Sequence, residues 1–93
     1  MKKLAFRVRV DVDPQTGKTL AVYFQVRNGR AANVVEVSEG NAFANYDRNG
    51  LLLGVELLAP CSVMVFDQLA KKEPKVVKEF FHRTIPWEMA VGA

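Results

Sequence analysis

Between residues 45 and 58 the chain reads Asn-Tyr-Asp-Arg-Asn-Gly-Leu-Leu-Leu-Gly-Val-Glu-Leu-Leu, a turn signal running straight into an apolar strand that carries one carboxylate, Glu56. Asn-Gly is among the pairs that best tolerate the positive backbone angles of a tight hairpin. A strand must therefore fold back at this point, and the apolar run behind it must be buried. That requirement selects a sheet whose neighbouring strands run antiparallel.

The rest of the first 60 residues supports this reading. Phe6, Val8, Val10 and Val12 alternate with Arg7, Arg9 and Asp11, the period-two pattern of a strand with one buried face. Residues 13–17, Asp-Pro-Gln-Thr-Gly, break the alternation as a turn. A second strand over 18–27 places Leu20, Val22, Phe24 and Val26 on one face and Thr19, Ala21, Tyr23 and Gln25 on the other. Asn28-Gly29 then reads as a two-residue hairpin turn that pairs Val26 with Ala31, Phe24 with Asn33 and Val22 with Val35. A third strand over 30–37, a fourth over 41–47 and a fifth over 51–58 follow with short connections, so sequential strands are expected to pair directly as a meander.

After Pro60 the pattern changes. Val63, Phe66, Leu69 and Ala70 suit one face of a short helix, while the β-branched residues near Val63 equally suit a sixth short strand. Pro74 fits the first turn of a second helix, in which Val76, Val77, Phe80, Phe81 and Thr84 form a stripe, and Pro86 ends it. Helices placed after the strands predict one α+β domain over 1–93: a five-stranded antiparallel β-meander in 1–60, then a C-terminal helical segment in 61–93.

A chain of 93 residues supports only a modest core, which makes a homodimer the expected assembly. Cys61 is the only cysteine, so no intrachain disulfide forms and a reducing cytoplasmic setting fits best. No apolar run reaches the length of a membrane span, and Met1-Lys2-Lys3 leads into strand alternation, so neither a membrane nor secretion is expected. The net charge of +3 is mild, but Lys2, Lys3, Arg7 and Arg9 cluster at the start and Lys71, Lys72, Lys75, Lys78 and Arg83 near the end. Such groups suit phosphates or an acidic partner; solvated faces that keep a domain soluble are the plainer explanation.

Candidate site residues centre on Glu56. A carboxylate among apolar neighbours has a raised pKa and the means to act as acid or base, whereas pairing with Arg7 or Arg9 across the sheet makes it structural. Two registers fit the turn before it. A two-residue loop at Asn49-Gly50 puts Asp47 and Asn45 on the face of Glu56, an oxygen set of the kind that holds a hard cation. A three-residue loop over 48–50 with a bulge brings Tyr46 there instead. Glu56, Asp47, Asn45 and Tyr23 thus form the candidate polar cluster, with hairpin capping the simpler role for Asp47. Asp11 and Asp13 flank Val12 just before Pro14, where turn initiation explains them better than paired catalysis. Cys61 and His82 match no hydrolase or zinc pattern, and the six glycines form no phosphate loop, so neither metal nor cofactor is expected.

Residues 13–60 resemble a family of small bacterial and archaeal proteins catalogued as domain of unknown function 2283. The resemblance rests on Asp13-Pro14, Tyr23, Tyr46-Asp47, Gly50 and the run Gly54-Val55-Glu56-Leu57-Leu58. It departs in the longer first turn, Gln15 to Thr19, and in the tail beyond Pro60. The resemblance implies a compact antiparallel sheet and no established activity; some such proteins look like one half of a toxin and antitoxin pair.

The reading that follows is a small bacterial, non-enzymatic protein-interaction module, antitoxin-like in its sharpest form. It would bind through its sheet face or through its basic tail, using Arg7, Arg9, Lys71, Lys72, Lys75, Lys78 and Trp87. A nucleic-acid module using the Arg and Tyr sheet face with the tail lysines is one alternative. A small enzyme or ligand-binding protein with a carboxylate site at Glu56 and Asp47 is the other.

Overall fold

A computed structural model describes residues 3–91, with the side chain of Val91 left aside. Five strands, β1 (Leu4–Val12), β2 (Thr19–Arg27), β3 (Asn33–Ser38), β4 (Ala42–Tyr46) and β5 (Leu52–Leu57), form one antiparallel sheet. A two-residue strand β6 (Cys61–Ser62), helices α1 (Met64–Leu69) and α2 (Lys75–Thr84), a single 3-10 turn (Trp87–Met89) and β7 (Ala90–Val91) complete the chain. The α+β class and the sheet-then-helix order are as the sequence indicates. The segment after Pro60 resolves into both alternatives, β6 and then α1, and β6 pairs in parallel with β7. Among the described residues no helix is long and apolar enough to cross a membrane.

The strand order, β1-β2-β5-β4-β3, corrects the meander. β2 and β3 are not neighbours, so the cross-strand pairs expected from Asn28-Gly29 do not form; β2 pairs with β5 instead, Phe24 opposite Val55 and Val22 opposite Leu57. Two physical causes combine. Among the described residues only glycines have positive φ, so Asn28 does not enter the tight-turn geometry that its pairing with Gly29 favours. The central place in a sheet also goes to the strand that loses most by exposure. β5 carries Leu52, Val55 and Leu57, all at most 2 % exposed, whereas β3 carries Asn33, Glu36 and Ser38 and tolerates the edge.

The turn between β4 and β5 takes the three-residue form. Asp47 N–H donates to Leu51 C=O at 2.9 Å and Gly50 N–H to Asp47 C=O at 3.0 Å, with Gly50 at φ 82°, a conformation that L side chains rarely adopt. Tyr46 then pairs with Leu52 but Asn45 with Gly54, leaving Leu53 as an extra residue on β5. This bulge resets the alternation: Leu52 joins the core, contrary to a plain period of two, and Asn45 returns to the face of Glu56.

The helical tail covers one face of the sheet. Phe66, Val77, Phe80, Phe81 and Met89 pack on Val22, Phe24, Val26, Val55 and Leu57, with the ring of Phe24 edge-on to those of Phe66 and Phe81 at 5.3 and 5.9 Å. Burying such a ring contributes about 2–3 kcal/mol. Val76, expected in the helix stripe, is largely solvent-facing, because the buried stripe is the narrower Val77, Phe80 and Phe81. Over β1 the core reaches Leu4 and Phe6, the latter stacking on Phe80 at 4.3 Å. Val8, Val10 and Val12 beyond it are 38, 45 and 50 % exposed, so the apolar face of β1 is only partly covered.

Candidate functional site

With the helices on one side, the other side of the sheet is open. Register carries its residues across all five strands. Arg9 lies opposite Tyr23, Tyr23 opposite Glu56, Glu56 opposite Phe43 and Phe43 opposite Glu36. The adjacent row is Arg7, Gln25, Gly54, Asn45 and Val34. Two rings thus occupy the middle of the open face, guanidinium groups the β1 side and a carboxylate the β3 side.

Tyr23 organises the centre. Its ring lies across Gly54, its hydroxyl accepts a hydrogen bond from Asn45 Nδ2 at 3.3 Å, and the Arg9 guanidinium sits 5.9 Å from the ring centroid. Gln25 Nε2 donates to Ala5 C=O at 2.8 Å and to Asn28 Oδ1 at 3.1 Å, which fixes its position beside Arg7. Arg7, Val8, Arg9, Tyr23 and Gln25 line a shallow recess of about 250 Å³. Arg7, Arg9, Tyr23 and Gln25 therefore share a face, as the alternation of β1 and β2 indicates.

The candidate polar cluster comes together only in part. Glu56, Tyr23 and Asn45 share the open face, but Asp47 leaves it. Its Oδ1 accepts the backbone N–H of Asn49 and of Leu51, both at 2.9 Å, and the residue is 3 % exposed at the root of the β4–β5 turn. The oxygen set for a cation is consequently not assembled, nor is the acid and base pair of Glu56 with Asp47. Glu56 is half-buried and makes no ion pair with Arg7 or Arg9, from which β2 separates it. Arg9 Nε lies 3.8 Å from Asp11 on its own strand instead. Asp13 initiates its turn, with Oδ1 accepting Gln15 N–H at 2.8 Å.

Cys61 and His82 do not form a couple. Cys61 belongs to the core, where burial pushes its thiol up and disfavours the nucleophilic thiolate. His82 Nε2 instead meets Asp67 Oδ1 at 2.5 Å, joining α2 to α1, and Lys78 Nζ approaches the same oxygen at 3.9 Å. These neighbours, the His82 hydrogen bond foremost, hold the Asp67 carboxyl below the usual range.

The two basic clusters do not merge. Lys71, Lys72, Lys75 and Lys78 are exposed on the helical layer, opposite the open face that carries Arg7 and Arg9; Lys2 lies outside the described residues. Trp87 is 85 % exposed on the 3-10 turn. Two features escape sequence reasoning. Phe43 stands on the open face because Ala42 and Ala44, both fully buried, fill the core side of β4; in isolation the larger Phe reads as the core residue. Arg27, 5 % exposed, donates through Nη1 to Leu52 C=O at 2.9 Å and through Nη2 to Glu73 Oε1 at 2.7 Å, tying the end of β2 to the segment between the helices. Comparison with protein-family models, with curated proteins and with solved structures finds no match to this chain.

Proposed function

We propose that the protein is a non-enzymatic interaction module that binds a partner protein through its open sheet face. The observation that carries this reading is the row from Arg9 through Tyr23, Glu56 and Phe43 to Glu36, in register across the five strands on the side the helices leave bare. Tyr and Arg are the residue types that most often anchor protein interfaces. Tyr23 is pre-positioned by Gly54 and Asn45, so less conformational entropy is lost when a partner docks on it. The resemblance to the family of unknown function is in keeping with a binding role, of which an antitoxin-like one is the sharpest form.

The charge arrangement weighs against the nucleic-acid reading. Glu56 stands between the two rings and Glu36 closes the row, so a phosphate backbone running along it meets a carboxylate at two of its five positions. The enzyme reading loses its convergence when Asp47 turns to cap its own hairpin.

The test is a pull-down of the tagged protein from a lysate of its source organism, nuclease-treated, with the Phe43→Ala and Lys72→Ala variants alongside. The expected result is a stoichiometric protein partner that is retained by Lys72→Ala and lost with Phe43→Ala. Capture that nuclease abolishes, or that Phe43→Ala leaves intact, would sink the proposal.

A further inference from the structure

β1 is an edge strand: it pairs with β2 on one side and with nothing on the other among the described residues. Nearly its whole length is uncovered, every residue from Arg7 to Val12 being exposed. Edge strands that stay single are usually blunted by proline, inward-pointing charge or a bulge of their own. β1 carries a bulge of its own between Leu4 and Arg7, where Ala5 and Phe6 oppose the single Val26, but from Arg7 to Val12 it has no proline, no bulge and no inward-pointing charge. The irregularity near Val12 lies on β2, where Leu20 is the extra residue between Thr19 and Ala21, so β1 itself is regular from Arg7 to Val12.

We infer that β1 is the seat of a second copy of this chain, paired antiparallel to itself about a two-fold axis at Val10, so that two five-stranded sheets join into one of ten strands. The argument is charge complementarity. The strand is basic in its first half, Arg7 and Arg9, and acidic at its end, Asp11, with Asp13 following at the first position of the turn. Residues opposite each other in an antiparallel pair share a face, which restricts a symmetric pair to centres that fall on a residue. Centring on Arg9 sets arginine against arginine, and centring on Val8 sets Arg7 against Arg9. Centring on Asp11 sets aspartate against aspartate, and centring on Val12 sets Asp11 against Asp13. Only the centre at Val10 avoids every like-charge pair. It places Arg9 opposite Asp11 of the second copy and Arg7 opposite its Asp13, each twice by symmetry.

The same register serves the other face. Val10 meets Val10 and Val8 meets Val12, so the three valines that the helical layer leaves half-exposed are covered by their own symmetry mates. The partly covered apolar face and the segregated charges, otherwise separate oddities of β1, both follow from one contact. The dimer lies at the sheet edge and leaves Tyr23 and Phe43 open; of the row proposed above as the partner face it engages Arg9 alone.

Sedimentation velocity over a micromolar concentration series tests this, with circular dichroism to confirm that each variant is folded. The wild type is expected to be a dimer and Val10→Lys a monomer. Arg9→Asp, which sets like charges opposite each other, should weaken the dimer by about tenfold or more. The exchange Arg9→Asp with Asp11→Arg should restore it, since the register is antiparallel. Val34→Lys, on the opposite edge strand, should change nothing. A monomeric wild type, a dimer indifferent to Val10→Lys, a dimer broken by Val34→Lys, or an exchange variant as weak as Arg9→Asp alone would each overturn the inference.

Discussion

The phenol ring of Tyr23 lies across Gly54, in the space where any other residue would carry its side chain. A Cβ built on Gly54 would fall 2.6 Å from Tyr23 Cζ and 2.7 Å from the carbonyl oxygen of Phe24. The ring can swing away, but the carbonyl belongs to the β2 backbone that pairs with β5 and cannot. Gly54→Ala is therefore expected to destabilise the fold by about 1–3 kcal/mol, the range for overpacking a filled site. Urea unfolding checks it. Adding Tyr23→Ser should recover only part of the loss, because the clash with Phe24 remains; full recovery would place the whole constraint on the ring.

Arg27 and Glu73 form a pair that water barely reaches, their side chains 4 and 11 % exposed. Each desolvated charge is compensated by the other. Removing one partner, as in Glu73→Ala, strands the guanidinium with only the Leu52 carbonyl and should cost about 3–5 kcal/mol, whereas replacing both with methionine should come close to neutral. Unfolding midpoints of the two single variants and the double variant give the coupling directly. Additive losses would mean that the pair contributes little beyond its packing.

Acid sensitivity should localise to the contact between the helices. Asp67 has its folded pKa lowered by His82 and Lys78. A depressed carboxylate pKa adds stability that is fully present above the unfolded value, about 4, and is lost as pH falls through the folded one. Wild type should thus be more stable than Asp67→Asn at neutral pH, and the difference should shrink below roughly pH 4. Since Asp67 is 37 % exposed, solvent keeps the effect small. Thermal midpoints of both proteins between neutral pH and pH 3 decide the matter, and a constant gap would contradict it.

How much of this is legible in the residues depends on how local the cause is. The alternation of β1, that of β2 from Ala21 onward, the turn at Asp13 and the core of the helical stripe, Val77, Phe80 and Phe81, arise from neighbours a few positions apart and read correctly; Leu20, placed by period two with Val22 and Phe24, is 53 % exposed at the β2 bulge. The pairing of β2 with β5 does not, because it is decided by competition between two strands for the centre of the sheet. The local Asn28-Gly29 signal loses to the burial of Val55 and Leu57. The same holds at the open face. Tyr23, Gln25, Arg7 and Arg9 follow from period two. Phe43 is hidden because the core side of β4 is filled by the smaller Ala42 and Ala44, both fully buried. Asn45 reaches the face of Glu56 through the single extra residue, Leu53, that the bulge inserts, and Asp47 leaves that face because its carboxylate caps the turn.

Trp87 gives the last prediction. It is the only tryptophan in the chain, and it is 85 % exposed between Pro86 and Met89. The residues beside it hold the 3-10 turn in place: Glu88 Oε1 accepts the Thr19 hydroxyl at 2.6 Å, and Met89 is buried in the core. The turn is anchored without the indole, so Trp87→Ala should shift stability by no more than about 0.5 kcal/mol, as for an ordinary surface position. Emission from the folded protein should be that of a water-exposed indole, readily quenched by acrylamide and little changed on unfolding. Strong protection from quenching would mean that another surface covers the ring, and dilution would then separate the two cases. Protection lost with the dimer places Trp87 at the subunit boundary, and protection that persists in the monomer means the tail folds back over it.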